Sequence, residues 1–108
     1  MNNNTHKKLI NVIDDHHTYE LDNMEDGKQI LQFIKKEADA DGQFITVRNG
    51  TTNEAVLQMM IHRMQSLHEK LPSEQSLEII SSLTNALRLM YERTADRLER
   101  GVENTPKA

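Results

Sequence analysis

The sequence predicts an α+β fold in which a short antiparallel β-meander precedes a long antiparallel helical hairpin, assembled as an oligomer. Residues 18–48 contain short runs of β-favouring residues separated by turn signals. Residues 49–108 carry two apolar stripes with helical spacing and end in an arginine-rich tail. Only 36% of the 108 residues are hydrophobic, so one chain builds a thin core and burial between subunits is expected to supplement it.

The region before the helices divides into an arm and three strands. Residues 1–17 are mostly polar and are predicted to form a flexible N-terminal arm, with at most one helical turn. Strands are predicted over 18–24, 28–37 and 43–48, because Glu25-Asp26-Gly27 and the run ending in Asp41-Gly42 are typical of tight turns. The second of these segments also fits an amphipathic helix, and this alternative stays open.

The first predicted helix follows directly on the third strand. Asn49 and Gly50 form the turn that closes the strand. Thr51 and Glu54 fit a capping box, in which a hydroxyl and a carboxylate satisfy free backbone N–H groups. An apolar stripe then predicts a helix over 53–70. The stripe consists of Val56, Leu57, Met60, Ile61, Met64, Leu67 and Leu71.

The run Leu71-Pro72-Ser73-Glu74 breaks the first predicted helix and starts the second, because proline ends one helix and fits the first turn of the next. Apolar residues at spacings of three and four extend it over 74–100, and Gly101 is expected at the position just past its end. The break between the helices is short, so they are expected to be antiparallel neighbours. The stripe consists of Leu77, Ile80, Leu83, Leu87 and Met90.

Three arginines lie on one face of the second helix. Arg93, Arg97 and Arg100 fall within about 60° of one another. Each guanidinium is permanently charged and presents a planar fork of donors that suits phosphate or carboxylate. The spacing therefore predicts a site for a small anion. The alternative is a row of exposed ion pairs, because Asp96 precedes Arg100 by four residues and Glu103 lies nearby.

The helix lengths predict a second anion-binding feature beside the arginines. If the second helix folds back at Pro72, Met90 or Tyr91 comes level with the start of the first helix, and the remaining residues overhang segment 49–53. Free N–H groups at a helix start attract anions. Tyr91 is a candidate for stacking on a nucleobase, and Arg63 either joins the site or pairs with a carboxylate. The simpler interpretations are a helix cap and a packed tyrosine ring.

Composition limits the classes of function. The formal net charge of −4 argues against a general nucleic-acid binder. The apolar run from Leu9 to Ile13 is too short for a signal peptide or a membrane span, so we expect a cytoplasmic protein. The chain has no cysteine, and its five histidines lack a zinc-ligand spacing. No nucleophile–base set or phosphate loop is present, so neither catalysis, metal nor cofactor is expected.

Two motifs resemble a group of small phage-encoded proteins. One runs from Gly50 through Thr51, Thr52, Asn53 and Glu54 to Val56, Leu57 and Arg63; the other runs from Arg93 through Arg97, Arg100, Gly101 and Val102 to Thr105. The group shares its helical hairpin with the phage nucleotide sponges that counter the CBASS and Thoeris defence systems. The resemblance covers residues 50–105, and the strand-rich region before Asn49 departs from the shortest, all-helical sponges.

The resemblance implies a non-catalytic homo-oligomer in the host cytoplasm. It would bind a cyclic oligonucleotide or a cyclic ADP-ribose-type signal between hairpins of different subunits and keep it from a host effector. The positions that match the group are Thr52, Asn53, Glu54, Arg63, Arg93, Arg97, Arg100 and Thr105. With Tyr91 they form the predicted ligand-binding set. A second hypothesis is an oligomeric protein-binding module that inhibits a host protein directly. A third is an arginine-dependent binder of nucleic-acid ends.

Overall fold

The structure is a computed structural model that describes residues 8–103 and 105–107. Strands precede a helical pair, so the predicted α+β order is confirmed. The elements are β1 (Ile10–Asp14), β2 (Thr18–Asp22), β3 (Lys28–Gln32), β4 (Lys35–Ala38), β5 (Phe44–Arg48), α1 (Asn53–Lys70) and α2 (Glu74–Glu99).

The first strand lies where the sequence predicted a flexible arm. Residues 1–7 of that arm lie outside the described residues, whereas β1 pairs antiparallel with β2 through Ile10 opposite Leu21 and Val12 opposite Tyr19. The connecting turn places Asp15 at φ 31° and His16 at φ 66°. Tight hairpin turns need such left-handed residues, and Asp-His lacks the glycine that usually signals them. The hairpin was therefore missed.

The predicted second strand is divided in two, which excludes the helical alternative for residues 28–37. β3 completes a three-stranded antiparallel sheet in the order β1-β2-β3, whereas β4 pairs only with β5 in a separate hairpin. Between them, Phe33 and Ile34 turn away to meet Thr51. The Thr51 N–H donates to Gln32 O over 2.9 Å, and the Ile34 N–H donates to Thr51 O over 2.9 Å. This long-range pairing interrupts the run.

Gly50 allows that crossing of two backbones. A Cβ atom placed on Gly50 would lie 2.7 Å from both Gln32 O and Ile34 N, and still closer to the Phe33 carbonyl carbon. These contacts are far below van der Waals separation, so no side chain fits there. Asn49-Gly50 therefore does more than end a strand, because it lets the start of α1 lie against the first sheet.

The N-terminal cap of α1 differs from the predicted one by one residue, whereas α2 begins at Glu74, as predicted. Thr52, not Thr51, caps α1, and its Oγ1 accepts from the Ala55 N–H over 3.1 Å. Thr51 is held in the bridge to Phe33, so its backbone is not free to begin the helix. Ser73 caps α2, which places Pro72 before the helix rather than in its first turn.

The end of α2 follows the prediction. Gly101 adopts φ 72° directly after the C-cap residue, as expected for the position past the helix end. The Gly101 N–H donates to Leu98 O over 3.1 Å, and the Val102 N–H donates to Arg97 O over 2.9 Å. This pair of bonds is a Schellman motif. It turns the chain back toward the helix that it has just left.

The two helices form the predicted antiparallel hairpin, but the overhang is shorter than expected. The Gln58 side-chain amide donates to the Tyr91 hydroxyl over 2.7 Å, and a hydrogen bond joins His68 to Ser76 near the connection. Tyr91 therefore lies level with a residue five positions inside α1, not with its first turn. The rise of about 1.5 Å per residue brings α2 level with Asn53 only near Asp96.

The described residues form an open structure with little interior. None of their hydrophobic side chains is buried, and the four buried residues are Thr18, Ser76, Arg97 and Thr105. The radius of gyration is 17.3 Å, against about 13 Å for a compact domain of this length. α1 packs on α2, and each strand packs on its sheet neighbours, but within the described ranges neither sheet packs along the helices.

Candidate functional site

A cleft of about 610 Å³ lies between the three-stranded sheet and the start of α1. Its floor is one face of the sheet, because residues two apart along a strand point the same way. The strand register places Tyr19 opposite both Val12 and Leu31. The apolar residues that line the cleft are Ile10, Tyr19, Leu21, Leu31, Phe33 and Ile34.

Two aromatic rings give this floor a shape that suits a flat ligand. The Tyr19 and Phe33 rings meet edge to face, with centroids 5.9 Å apart and planes at 86°. Each ring keeps part of its surface toward the cleft, since both residues are only half-buried and line it. Aromatic faces and edges bind planar groups through stacking and T-shaped contacts. The floor can therefore receive a planar group.

Polar groups form the rim of the cleft. Thr52, Asn53 and Glu54 line it at the start of α1. Thr52 already accepts from the Ala55 and Val56 N–H groups, over 3.1 and 3.2 Å. The N–H groups of Asn53 and Glu54 have no partner inside the helix, because the first turn never does. An anion at the rim would meet these donors and the positive end of the helix.

His16 and His17 complete the rim from the β1–β2 turn. The turn is held by an ion cluster at the end of β1, where Asp14 pairs with Lys35 over 3.5 Å and with Arg48 at shorter range. Desolvation raises the pKa of the Asp14 carboxyl, but the Lys35 ammonium and the Arg48 guanidinium outweigh it, so the pKa lies below its usual value. The cluster ties the first sheet to the β4–β5 hairpin and fixes the turn beside the cleft.

The arginine end of α2 is a separate, closed arrangement. Arg97 is only 7% exposed, because residues after Gly101 fold back over it. Its Nε donates to Glu103 Oε1 over 2.9 Å. Its terminal nitrogens donate to the backbone carbonyls of Val102, Thr105 and Lys107 over 2.6–2.9 Å. The donors predicted to hold an anion are thus used by the protein's own tail.

Thr105 belongs to the same closed arrangement. The sequence predicted a ligand contact there, but the side chain is buried and its hydroxyl donates to Val102 O over 2.5 Å. The hydroxyl also accepts from the Lys107 N–H over 3.3 Å. Thr105 therefore shapes the tail that covers Arg97. The structure brings these two predicted residues together, in contact with each other rather than with open solvent.

The other predicted residues on the helices are exposed. Arg100 Nε donates to Asp96 over 3.0 Å, as the ion-pair alternative predicted. Within residues 8–103 and 105–107, Arg93 and Arg63 are exposed and make no ion pair. Tyr91 is half-exposed and accepts from Gln58. No described residue of α2 lines the cleft, so within one chain the two predicted anion-binding features do not merge.

Sequence reasoning missed the sheet side of the cleft. The sequence predicts only strands at Tyr19 and Phe33, and it predicts an arm at His16 and His17. The available signal was the alternation of apolar residues on both sides of Asp15, which fits a hairpin. The meeting of these residues with Thr52 depends on the crossing at Gly50, which no local pattern shows.

Comparison with protein families, curated proteins and solved structures finds no match for this chain. The resemblance to phage nucleotide sponges therefore stays a prediction from residues 50–105. Among the described residues, no helix is long and apolar enough to cross a membrane. Within the same ranges, no three acidic or histidine side chains are grouped closely enough to hold a metal ion.

Proposed function

We propose that this protein is a non-catalytic binder that captures a cyclic nucleotide second messenger and withholds it from a host effector. The ligand is a cyclic oligonucleotide or a cyclic ADP-ribose-type signal, and the protein acts in the host cytoplasm as a homo-oligomer. The observation that carries the proposal is the cleft, which combines an aromatic floor with the open start of a helix. A nucleotide needs both, because it pairs a flat base with a charged phosphate.

Different residues of the cleft bind different parts of the ligand. The phosphate lies at the start of α1, where the Asn53 and Glu54 N–H groups and the helix dipole stabilise negative charge. The base contacts the exposed surfaces of Tyr19 and Phe33. The Glu54 carboxylate accepts from a ribose hydroxyl or a base amino group, since it would repel the phosphate itself. His16 and His17 supply further donors at the rim.

The arginines have different roles in this proposal. Arg97 and Thr105 hold the tail in place and do not contact the ligand. Arg93 and Arg63 are exposed cations that increase the local concentration of a nucleotide at the helical surface. A dissociation constant near 1 nM corresponds to about −12 kcal/mol, which stacking and several charge-assisted hydrogen bonds must supply together.

A matched pair of variants at one position tests the phosphate contact. Asn53→Pro removes one N–H, yet proline fits the first helical position, and the extended backbone of Thr52 (φ −126°, ψ 162°) accepts a following proline. Asn53→Ala keeps the N–H and removes only the side chain. We expect Asn53→Pro to weaken nucleotide binding by about 10-fold or more, because one hydrogen bond to a charged group is lost, with Asn53→Ala close to the parent.

The measurement is calorimetric titration with cyclic dinucleotides, cyclic trinucleotides and cyclic ADP-ribose isomers, preceded by thermal-shift screening. A ligand that binds only the folded protein raises its melting temperature. Equal weakening by both Asn53 variants would remove the N–H from the site. The absence of any shift across the whole set would overturn the proposal.

A second candidate is the protein-binding module that inhibits a host protein directly. The exposed apolar side chains of the helices favour it, because large exposed apolar patches mark interaction surfaces. This candidate predicts that no cyclic nucleotide binds, while a purified host protein binds the chain with one-to-one stoichiometry. Nucleotide binding that survives when the helical surface is changed would favour the first proposal.

A further inference from the structure

The chain exposes much more surface than a compact monomer of its mass. Its accessible area is 8532 Å², whereas a monomer of 12.5 kDa typically exposes about 6,200 Å². The excess is about 2,300 Å². An obligate dimer interface buries about 2,000–5,000 Å² in total, which is about 1,000–2,500 Å² from each partner. The excess therefore matches the area that a stable homodimer would cover.

Apolar residues recur along one side of the helical hairpin, and Arg63 lies at the edge of that side on α1. On α1, Val56, Met60 and Leu67 fall within about 40° of one another, and on α2 Ile79, Leu83 and Met90 do the same. We call these six residues the apolar hairpin face. Met60 is 36% exposed, Ile79 43% and Leu67 45%. The other three are half-buried in the seam between the helices.

The hydrogen bond between Gln58 and Tyr91 marks the opposite side of the hairpin. Gln58 lies about 180° around α1 from the middle of the three face residues on that helix, and Tyr91 lies about 100° around α2 from the middle of the three on the other. The two sets of face residues therefore border the same side of the seam. Neither sheet packs along the helices, so no strand among residues 8–103 and 105–107 covers this face.

We propose that a second copy of this chain covers the apolar hairpin face. The two hairpins pack face to face around a two-fold axis and form an antiparallel four-helix bundle. Each chain uses the same six residues to contact the other. The excess of accessible area favours a second copy, because a two-fold dimer covers the same face on both chains at once. This inference specifies the surface behind the homo-oligomer of the proposed function, and it can fail independently of nucleotide capture.

Neighbouring methionines provide a matched test on one helix. Met60→Glu places a charge in the face, and Ile79→Glu does the same from α2. Met59→Glu is the control, because Met59 is 51% exposed and lies about 100° away on α1. Sedimentation equilibrium of the full chain without nucleotide, between about 1 and 100 μM, gives the mass, and circular dichroism checks that each variant stays helical.

We expect the parent and Met59→Glu to have twice the chain mass of 12.5 kDa. We expect Met60→Glu and Ile79→Glu to be monomers, or to dissociate at concentrations at least about 100-fold higher than the parent, because each dimer would bury two unpaired carboxylates. If Met60→Glu and Ile79→Glu both lose helicity, Met60→Ala tests the face instead and Met59→Ala is its control. The dissociation constant should then rise about 10-fold for the first and stay unchanged for the second.

Three results would overturn the inference. A parent chain that stays monomeric throughout the concentration range shows that no second copy covers the face. Folded face variants that keep the parent mass show that another surface joins the chains. Dissociation by Met59→Glu to the same extent as Met60→Glu shows the same. None of these results depends on whether a nucleotide binds, so they leave the capture of a second messenger to its own test.

Discussion

The start of α1 and the end of α2 both carry groups that attract anions, yet the protein treats them differently. At the start of α1, backbone donors open onto a cleft of about 610 Å³. At the end of α2, the Arg97 guanidinium is enclosed by its own tail. The comparison shows that a positive group is available to a ligand only where the chain leaves it uncovered.

The difference comes from the path of the chain just outside each helix end. Gly101 and the Schellman motif send the tail back over α2, so carbonyl oxygens and Glu103 reach the planar donors of Arg97. Before α1 the chain crosses β3 at Gly50 and enters the helix at once. No acidic tail follows that crossing, so the first N–H groups stay at the rim of the cleft.

The largest expected effect is at the crossing that positions the cleft. In Gly50→Ala the added Cβ meets backbone atoms that cannot move independently, so we expect unfolding to become easier by about 3 kcal/mol or more, with the cleft lost. Gly42→Ala is the control, because Gly42 has positive φ and open space, and about 1 kcal/mol is expected there. Urea unfolding measures both. Equal effects would mean that the close backbone approach is unimportant.

The next effect concerns the closed end of α2. Arg97→Ala removes four hydrogen bonds to the tail, so we expect a loss of about 2 kcal/mol and rapid amide exchange after Gly101. Arg93→Ala, an exposed change on the same face, should stay within about 0.5 kcal/mol of the parent. Hydrogen exchange and urea unfolding distinguish them. A nucleotide titration of the same variants tests the ligand role that the sequence predicted for both arginines.

A smaller effect is expected at the open end, where the cap of α1 shapes the rim. Thr52→Ala removes the hydroxyl that accepts from the Ala55 N–H, so we expect a loss of about 1 kcal/mol. Thr51→Ala should cost less, because Thr51 contributes backbone bonds that alanine keeps. Thermal unfolding of the two variants compares them. A larger loss of stability in Thr51→Ala than in Thr52→Ala would indicate that Thr51 caps the helix, as the sequence predicted.

The smallest expected effect is a pH dependence at the turn beside the cleft. The pKa of Asp14 lies below its usual 3.8 in the folded protein. Its pairing with Lys35 and Arg48 therefore adds stability above that value, and the contribution disappears as the pH falls through the folded-state pKa. Asp14→Asn should flatten this part of the stability curve, while Glu37→Gln should not. An unchanged acid slope in Asp14→Asn would contradict the pairing.

Some parts of this comparison were predictable from the sequence. α1 spans Asn53–Lys70, the range that its stripe predicted, and α2 ends one residue before the predicted end. Gly101 takes the expected position past the helix. Each depends on neighbours within a few residues, such as i to i+4 bonds and capping groups. The ion pair between Asp96 and Arg100 is local in the same way.

The sheet side of the cleft was not predictable in this manner. β1 was assigned to an arm, one predicted strand became β3 and β4, and the cap of α1 moved from Thr51 to Thr52. β1 pairs with its neighbour β2, and it was missed because the Asp15-His16 turn lacks a glycine. The division of the strand and the shift of the cap follow from the meeting of Phe33 with Thr51, two residues far apart in the chain. Local propensity carries no information about such partners.

By itself, the sequence determined that strands precede two helices, the ranges of those helices and the kinds of charge at each helix end. These features arise from short-range hydrogen bonding and from side-chain type. Only the tertiary structure decided which positive groups stay open. Whether a donor contacts the tail or faces a cleft depends on which backbone segment packs beside it. At Gly50 the chain crosses β3 and leaves the donors of α1 open to the cleft, whereas at Gly101 the chain turns back and covers Arg97.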